Sequence, residues 1–525
     1  MAILPTLILM LVVIGTMSYL APKVAIPAPV LLAVAGVAWS LIPALRPLEI
    51  GPEVILSVFL PPLLYSDAWE ASWIDFRRWL RPILQLAIGL VAFTTLAVGL
   101  VAHWLVPSLP WAACFLLGAI VSPTDTVAVH AVLERLRVPR RVTAILGGES
   151  LVNDATGLLV AGLATVVVLT GVFEAGRIGL SFAQVAGGGM VIGAAVGLAA
   201  ATINYLVRGT HVLFAFSLLA PYAAYFLAER AGASAVLAVV IAGFVASWRL
   251  HYIAPESRVG LYHSWEHLAF LLNALMFLYV GLEAPGRLRQ AIETVPGITG
   301  IALLISLTVI LARIVWIFPS AYVSLWLLPG LRRREGGYPS PRAVILASWC
   351  GMRGAVSLAA ALSVPVMLAD GRPFPGRAEM IACTLAVILV TLVGQGVTLL
   401  PLVRWLGLSD ADLTEAEVRR ARESMLSAGI ARLDAFCSEE SCPIAVYRLR
   451  DAMSDQLASL QAEDAMTRAH ALQRLAVAAE VRRAVYRAQA DALLALRDQG
   501  VVNDRVHQEL QLDLDRANAL SGRGV

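Results

Sequence analysis

The sequence predicts an all-α polytopic membrane protein of about 13 transmembrane helices, followed by a helical cytoplasmic tail. Of the 525 residues, 59% are hydrophobic and only 15% are charged, whereas a soluble domain carries about 25% charged residues. The charges are unevenly spread, with 43 in residues 1–406 and 34 in the shorter segment 407–525. The first segment is too apolar for a water-soluble core, so we expect a membrane domain, 1–406, and a soluble tail, 407–525.

Thirteen apolar stretches in residues 1–406 are candidate membrane helices, because a hydrocarbon core about 30 Å thick requires roughly 20 residues of helix. They cover residues 2–20, 25–45, 54–67, 82–106, 112–133, 143–172, 182–207, 212–227, 233–248, 265–282, 298–328, 343–368 and 380–406. The first stretch lacks a basic start and a small-residue cleavage site. It is therefore interpreted as a retained span and not as a signal peptide.

The basic residues of the connecting loops predict the orientation in the membrane. One alternating set of loops carries fifteen Lys and Arg residues, and the other set carries seven. Because cytoplasmic loops hold the excess of positive charge, the richer set is expected to face the cytoplasm. With an odd number of spans in the cell membrane, the N-terminus then lies outside and the tail from Gly407 lies inside.

The tail has the periodicity of amphipathic helices. Ile444, Tyr447, Met453 and Leu457 fall near one helical face, and Pro443 is expected to begin a helix. Two interpretations of the tail stay open. It is either a regulatory or dimer-contact module with an unknown ligand, or a solvated helical bundle.

Several protein classes are not expected from the composition. Three of the five cysteines lie in apolar stretches, and Cys437 and Cys442 have neither zinc-site partners nor a CxxC spacing, which argues against a secreted disulfide scaffold. The sequence has no long basic arm, so we expect no nucleic-acid partner. It has no Walker loop either, so ATP is not the expected energy source, and no cofactor is expected.

Five ionisable residues lie deep in the predicted spans, where function is the usual reason for a charge. They are Asp125, Glu149, Asp154, Arg313 and Arg353. If both arginines pair with acids, one carboxylate is left over, and a buried unpaired carboxylate must take up a proton or hold a cation. A group that can do only one of these at a time is a physical means of exchanging the two. The alternative is that all five residues form ion pairs that stabilise the bundle.

Two predicted spans are interrupted near their middle. Pro123 lies inside the fifth span, where it removes a backbone donor and should break the helix beside Thr124 and Asp125. The twelfth span contains Arg353 between two glycines, and Arg353 would offset partial charges where the broken helices meet. Because the two spans are seven apart, they cross the membrane in opposite directions. The pattern predicts inverted repeats with a site at the midplane.

The span that follows Pro123 carries a polar face. Glu149, Ser150, Asn153 and Asp154 are spaced i, i+1, i+4 and i+5, which places them on one side of a helix at about 100° per residue. A polar face on an otherwise apolar membrane helix must point into the protein.

The interrupted spans and the polar face together resemble the NhaP/NHE branch of the monovalent cation:proton antiporter family. The segments that carry the resemblance are Ser122-Pro-Thr-Asp125, Gly148-Glu-Ser-Leu-Val-Asn-Asp154, Gly351-Met-Arg-Gly-Ala-Val-Ser357 and Phe59-Leu-Pro-Pro-Leu-Leu64, in the order of that family. The resemblance covers about residues 4–406. It implies a homodimer with a two-domain, elevator-like fold that exchanges Na⁺ for H⁺, with Li⁺ and K⁺ as open alternatives.

The resemblance also implies roles for individual residues. Asp154 would carry the cation and the proton in turn, and Asn153 would be the paired Asn that accompanies electroneutral one-for-one exchange. Asp125, Thr124 and Ser150 would complete or orient the site, so Na⁺ is expected at Asp154, Asp125, Ser150 and Thr124.

Two further assignments involve charged residues around that site. Glu149 would pair with an arginine of a later helix, with Arg313 as the first choice and Arg353 as the second. The family often has an acid two residues after the Leu-Pro-Pro-Leu-Leu segment, but here Asp67 comes one place later, which is a turn of about 100° on a helix. Whether Asp67 joins the site therefore stays open.

The mechanism that follows from the resemblance is alternating access around Asp154, which binds dehydrated Na⁺ on one side of the membrane and H⁺ on the other. Three other functions are weighed against it. One is a K⁺/H⁺ antiporter of the same fold, and another is a cation channel or sensor. The third is an intramembrane zinc metallopeptidase, because His263-Ser-Trp-Glu-His267 matches the H-x-x-E-H pattern.

Overall fold

The computed structural model describes most of the chain as helix. The described residues are 3–42, 51–133, 136, 138–172, 175–207, 209–248, 253, 255–335, 337–368, 371–408, 411–439, 443–461, 465–499, 506–507, 510–511 and 513–515. Within these ranges no β-strand forms, and one isolated bridge pairs Met367 with Pro373. The end of the second apolar stretch (43–45) and Cys442 lie outside the described residues, as does the side chain of Cys437.

The chain divides into two compact units, Met1–Ser409 and Asp410–Val525. The helices of the first unit are α1 (Ile3–Val24), α2 (Ala28–Ser40), α3 (Pro52–Val54), α4 (Leu60–Glu70), α5 (Trp73–Arg78), α6 (Leu80–Leu84), α7 (Val91–Leu105), α8 (Trp111–Val121), α9 (Val127–Leu133), α10 (Arg140–Thr170), α11 (Ala175–Leu206), α12 (Thr210–Arg230), α13 (Ala235–Ser247), α14 (Pro255–Thr294), α15 (Ile298–Leu327), α16 (Pro329–Arg334), α17 (Pro341–Trp349), α18 (Ala355–Leu362), α19 (Arg377–Leu389) and α20 (Gly396–Leu406). Three π-helical turns, Ile55–Phe59, Gln85–Leu90 and Val390–Gln395, join α3 to α4, α6 to α7 and α19 to α20.

Among the described residues, eight helices are long and apolar enough to cross a membrane. They are Pro5–Val24, Leu80–Leu105, Arg140–Thr170, Gly179–Leu206, Thr210–Arg230, Ser257–Thr294, Ile298–Leu327 and Arg377–Leu406. Three shorter apolar helices, α2, α8 and α13, accompany them. The all-helical, multi-span fold is therefore confirmed, whereas the count of 13 crossings and the inverted repeats stay predictions.

The twelfth apolar stretch was predicted to be helical to residue 368, and this is wrong. Its second half, α18, ends at Leu362. Pro365 lacks a backbone donor and disfavours helical geometry at the residue before it, which favours an end of the helix here. The chain turns back instead, where the amide of Leu368 donates to the carbonyl of Arg372 at 2.7 Å.

The tenth stretch, predicted at 265–282, is much shorter than the helix that contains it, since α14 has 40 residues. Hydropathy marks the part of a helix at hydrocarbon depth, while the polar ends continue the same hydrogen-bond ladder. Pairs at i, i+4 spacing support the extension, with Arg287 Nε 3.0 Å from Glu283 Oε2 and Arg289 Nε 3.1 Å from Glu293 Oε1.

Close packing of α14 against α2 fixes the position of this long helix. A Cβ atom built on Gly36 of α2 would lie 2.9 Å from the Cα atom of Gly281 in α14. Such small residues let membrane helices approach at backbone distance. α14 also contacts α4 and α18, and α18 is the second half of the later interrupted span.

Nearly all described residues of the second unit are helical. Its helices are α21 (Ala411–Glu439), α22 (Ile444–Gln461) and α23 (Ala465–Asp498). α22 begins directly after Pro443, and the amide of Val446 donates to the carbonyl of Pro443 at 2.9 Å. An exposed pair in which Arg450 Nε lies 2.5 Å from Asp434 Oδ1 links α22 to α21.

Candidate cation-binding site

Two interrupted helices meet at the centre of the candidate site. α8 ends at Val121 and α9 begins at Val127, while α17 ends at Trp349 and α18 begins at Ala355. The two interruptions touch through a hydrogen bond from the amide of Asp125 to the carbonyl of Met352, at 2.8 Å. They have no room for a side chain at Gly354, since a Cβ atom there would overlap the Asp125 carboxylate.

The first interruption is held against α10 through Thr124. The Asn153 side-chain amide donates to Thr124 Oγ1 at 2.7 Å and to the Thr124 carbonyl at 3.3 Å, and Ser150 Oγ donates to that carbonyl at 3.1 Å. Thr124 Oγ1 in turn donates to Glu149 Oε1 at 3.1 Å. Both oxygens of Thr124 are thus engaged by protein groups, so the residue fixes the broken helix to its neighbour.

Glu149 and Arg313 form a buried bidentate ion pair. Arg313 Nη1 lies 2.5 Å from Glu149 Oε1 and Nη2 lies 2.9 Å from Oε2, and the two side chains are 0% and 1% exposed. Arg313 also donates to the carbonyl of Ala347, from Nε at 3.2 Å and from Nη2 at 3.1 Å. The pair ties α15 to α10 and to α17. Of the two arginines that the sequence offered, the structure pairs Arg313 with Glu149.

Arg353 is also fully buried, but its partners are carbonyl groups. Its Nε donates to the carbonyl of Val121 at 3.1 Å, and Nη1 donates to the carbonyl of Gly351. Val121 is the last residue of α8, and Gly351 follows the end of α17, so the guanidinium lies where both half-helices carry partial negative charge. No carboxylate of the described residues forms an ion pair with Arg353.

If Arg313 and Arg353 both paired with acids, one carboxylate would be left unpaired. The structure shows a different arrangement. Only Glu149 is neutralised by an arginine, so Asp125 and Asp154 both lack an ion-pair partner among the described residues. Asp154 is buried, at 8% exposed. Asp125 accepts one hydrogen bond, from the amide of Val127 at 2.8 Å, which places its carboxylate at the start of α9.

A cavity of about 50 Å³ lies in front of these unpaired acids. Its polar wall consists of Asp67, Asp125, Ser150, Asp154 and Asn273. The remaining wall is apolar and comes from α4, α14, α18 and neighbouring segments. The cavity is large enough for a few water molecules or a small ion, and its wall combines carboxylate and neutral oxygens.

Comparison with known proteins identifies the family. Residues 8–405 match the family described as "Sodium/hydrogen exchanger, transmembrane". The chain belongs to this family. It is 33% identical over 522 residues to an uncharacterized Na⁺/H⁺ exchanger of Mycobacterium bovis, covering 96% of this chain and 93% of that protein. It is 32% identical over 384 residues to a sodium, potassium, lithium and rubidium/H⁺ antiporter of Bacillus subtilis, covering 70% of this chain and 56% of that protein.

A solved structure shares the fold. The sodium proton antiporter MjNhaP1 from Methanocaldococcus jannaschii superimposes with a TM-score of 0.62 at 20% identity, covering 77% of this chain and 98% of that one. The resemblance inferred from the motifs is thus confirmed. This exchanger is a multi-pass membrane protein of a cation:proton antiporter family. It is a transporter and not an enzyme.

A funnel of about 560 Å³ leads from the surface of the exchanger to its cavity. Asp67, Val127, Ser150 and Asn273 line both spaces, so the funnel and the cavity adjoin there. The outer funnel wall carries several charged or titratable side chains, namely Glu70, Asp75, His130, Arg140 and Glu266. Its walls include the loops predicted to face the cytoplasm.

The cavity wall differs from the set of residues that the sequence suggested. Asp125, Ser150 and Asp154 line it, as does Asp67, whose place was left open. Thr124 and Asn153 do not line it and instead support the broken helix from behind. Asn273 was missed, although a lone carboxamide inside the apolar stretch 265–282 is a signal that sequence reading could have used.

The H-x-x-E-H segment of the exchanger does not form a zinc centre. Glu266 Oε2 lies 3.3 Å from His263 Nδ1, and both side chains are largely exposed. His267 Nδ1 lies 2.5 Å from the carbonyl of His263, within the same helix. Within the described residues, no group of three His, Cys, Asp or Glu side chains is arranged to hold a metal ion.

Proposed function

We propose that this chain is a secondary active antiporter that exchanges Na⁺ for H⁺, one for one, by alternating access around Asp154. The observation that carries the proposal is the environment of this carboxylate. Asp154 is buried, has no ion-pair partner among the described residues and lines a cavity next to a funnel. A buried carboxylate without a positive partner must bind either a proton or a cation.

The cargo is bound by oxygen ligands in the cavity. A Na⁺ ion that enters from the funnel exchanges water for the oxygens of Asp154, Asp125 and Ser150, since hard cations prefer carboxylate and neutral oxygen ligands. A proton occupies Asp154 in the alternative state. Because one positive charge is carried in each direction, the exchange moves no net charge, and the membrane potential does not bias it, whereas an unbalanced charge costs about 2.3 kcal/mol per 100 mV.

The surrounding residues hold this site in shape. Thr124 and Asn153 attach the broken helix to α10, the Glu149–Arg313 pair links three helices, and Arg353 neutralises the ends of two half-helices. In this proposal Thr124 positions the neighbouring Asp125, and it is not itself a cation ligand. Asp67 lies where the funnel meets the cavity and attracts cations to it.

The proposal extends to the cellular setting. The funnel faces the cytoplasm, the N-terminus lies outside the cell membrane, and the antiporter domain 1–406 forms a homodimer that contributes to pH homeostasis. The tail 407–525 is cytoplasmic and regulatory. A second candidate is K⁺/H⁺ exchange, favoured by the potassium, lithium and rubidium named for the Bacillus subtilis relative.

The experiment is fluorescence dequenching in proteoliposomes loaded with a pH-sensitive dye. Na⁺, Li⁺ and K⁺ are added in turn, with and without an imposed membrane voltage. We expect proton movement with Na⁺ whose initial rate is the same at both voltages. A rate that follows the voltage contradicts one-for-one exchange, and activity with K⁺ alone establishes the second candidate. Cation flux without proton movement indicates a channel.

A further inference from the structure

One polar side chain of the cavity has no role in the exchange mechanism above. Asn273 lies on α14, and it lines both the cavity and the funnel. It is partly buried, and no hydrogen bond joins its carboxamide to another described residue. A carboxamide that lines the cavity without a hydrogen bond to a described residue leaves its oxygen available to a ligand that enters there.

The other neutral polar groups near the site are already engaged. Ser150 Oγ donates to the Thr124 carbonyl, and the Asn153 amide donates to both Thr124 oxygens. Asn273 differs because it lines the cavity from another helix, α14, and is not engaged by Thr124. Its position is fixed by the close packing of α14 on α2 at Gly281.

Na⁺ and H⁺ make different demands on such a group. A dehydrated cation needs several oxygen ligands around it at once, and carboxamide oxygens are suitable ligands for hard cations. A proton needs one covalent O–H bond to a carboxylate and at most one further acceptor, which Asp125 can provide. Removing a carboxamide oxygen from the cavity wall therefore weakens cation binding more than protonation.

We propose that Asn273 is a further cation ligand of the cavity and favours Na⁺ over H⁺ at Asp154. This inference rests on the proposed function, because it assumes that Na⁺ occupies the cavity. It assigns to α14 a direct part in cation affinity, in addition to α10 and the interruption between α8 and α9.

The test compares Asn273→Ala with the wild type and with Asn204→Ala. Asn204 is a matched control, since it is a buried asparagine of α11 that lines neither the cavity nor the funnel. Na⁺ binding to the purified full-length protein is measured by calorimetry, and the Na⁺ dependence of exchange is measured in proteoliposomes. For Asn273→Ala we expect Kd and half-saturating Na⁺ to rise about tenfold, as for the loss of one interaction with a charged partner.

The maximal rate of Asn273→Ala at saturating Na⁺ should stay within about twofold of wild type, since a lost ligand acts on affinity. Asn273→Gln, which keeps the carboxamide, should recover part of the affinity. Asn204→Ala should bind Na⁺ like the wild type. If the alanine variant does not reach the membrane, we expect the same result for Asn273→Leu, which is close in size to asparagine and has no side-chain oxygen.

The outcomes separate this inference from the proposed function. Unchanged Na⁺ affinity in folded Asn273→Ala or Asn273→Leu overturns the ligand role, while exchange by the wild type still supports the antiporter. A lower maximal rate with unchanged affinity also overturns it, since that result indicates a structural role. If the wild type binds Na⁺ more tightly than Asn273→Ala but moves no protons, the ligand role of Asn273 is supported. The proposed exchange is then refuted. A wild type that binds no Na⁺ refutes both.

Discussion

Two buried carboxylates of α10, Glu149 and Asp154, lie only five residues apart and yet have opposite surroundings. Glu149 is 1% exposed and is held by the two-point contact with Arg313 and the hydroxyl of Thr124. Asp154 is 8% exposed, has no ion-pair partner among the described residues and faces the cavity. Burial is similar at the two positions, so it does not by itself distinguish a structural acid from a transporting one.

The difference lies in what neutralises each carboxylate. The charge of Glu149 is balanced permanently by a guanidinium that also bonds to the carbonyl of Ala347, and such a pair is costly to open. No described side chain forms an ion pair with Asp154, so we expect a cation or proton that enters through the cavity to balance its charge. The same helix thus provides a fixed anchor and an exchangeable site.

The largest expected effect comes from Asp154→Asn, which removes the exchangeable charge. Na⁺-dependent proton movement in proteoliposomes should fall to the level of empty liposomes, because an amide neither takes up the proton nor balances the cation. Thermal stability should be equal to or higher than that of the wild type, since a buried unpaired charge is removed. Glu266→Gln, an exposed carboxylate of the funnel wall, serves as the control and should keep exchange. Residual exchange by Asp154→Asn would assign the shared carboxylate elsewhere.

Glu149→Gln should act on stability, because it leaves the Arg313 charge buried and unpaired. The free energy of unfolding, measured chemically in detergent micelles, should fall by about 3–5 kcal/mol. The control is Glu293→Gln, which opens an exposed pair with Arg289 and should cost at most about 1 kcal/mol. Adding Arg313→Gln to Glu149→Gln should recover part of the lost stability. A Glu149→Gln variant as stable as the wild type would mean that this pair is not the anchor.

The sequence predicted the interrupted helices and the acidic helix α10 because these depend on local chemistry. Proline at position 123 and the glycines around Arg353 act within their own segments. A charged residue inside an apolar stretch can be recognised from the sequence without knowing its partners. The contacts between segments were harder to predict from the sequence. Whether Glu149 pairs with Arg313 or with Arg353 depends on how α15 and α17 pack on α10, which periodicity does not report.

The limits of sequence reading are also clear in α14. Hydropathy found only its apolar centre, since the ends are polar and stabilised by pairs at i, i+4 spacing. Asn273 was overlooked because a single amide does not change the character of an apolar stretch. Thr124 was expected at the ion, but its oxygens are engaged by α10, and only the three-dimensional arrangement reveals which side of the broken helix faces the cavity.

A smaller effect should distinguish the two faces of the broken helix. Thr124→Val removes a hydroxyl that joins Glu149 and Asn153, and it should cost about 1–3 kcal/mol of unfolding free energy. It should lower the maximal exchange rate with little change in half-saturating Na⁺. Ser150→Ala, at the cavity wall, should weaken Na⁺ binding more and cost less stability, about 0.5–1.5 kcal/mol for its one hydrogen bond to the Thr124 carbonyl. If Thr124→Val weakens Na⁺ binding more than Ser150→Ala does, Thr124 is a cation ligand.

The smallest effect is expected from Asp67→Asn at the junction of funnel and cavity. Asp67 is exposed, so its charge attracts cations through solvent and is screened by salt. Half-saturating Na⁺ should rise about two- to threefold at low ionic strength, and the difference should disappear when choline chloride raises the ionic strength. A larger, salt-independent rise would place Asp67 among the ligands.

The most direct measurement counts the protons released when Na⁺ binds. Calorimetric titration of the purified protein in buffers of different ionisation enthalpy gives this number. If Na⁺ and H⁺ compete for Asp154, close to one proton leaves per Na⁺ bound at low pH, and the Kd for Na⁺ rises toward tenfold for each unit by which the pH falls. Asp154→Asn should abolish both effects. Na⁺ binding that releases no proton at any pH would contradict the shared carboxylate on which the account depends.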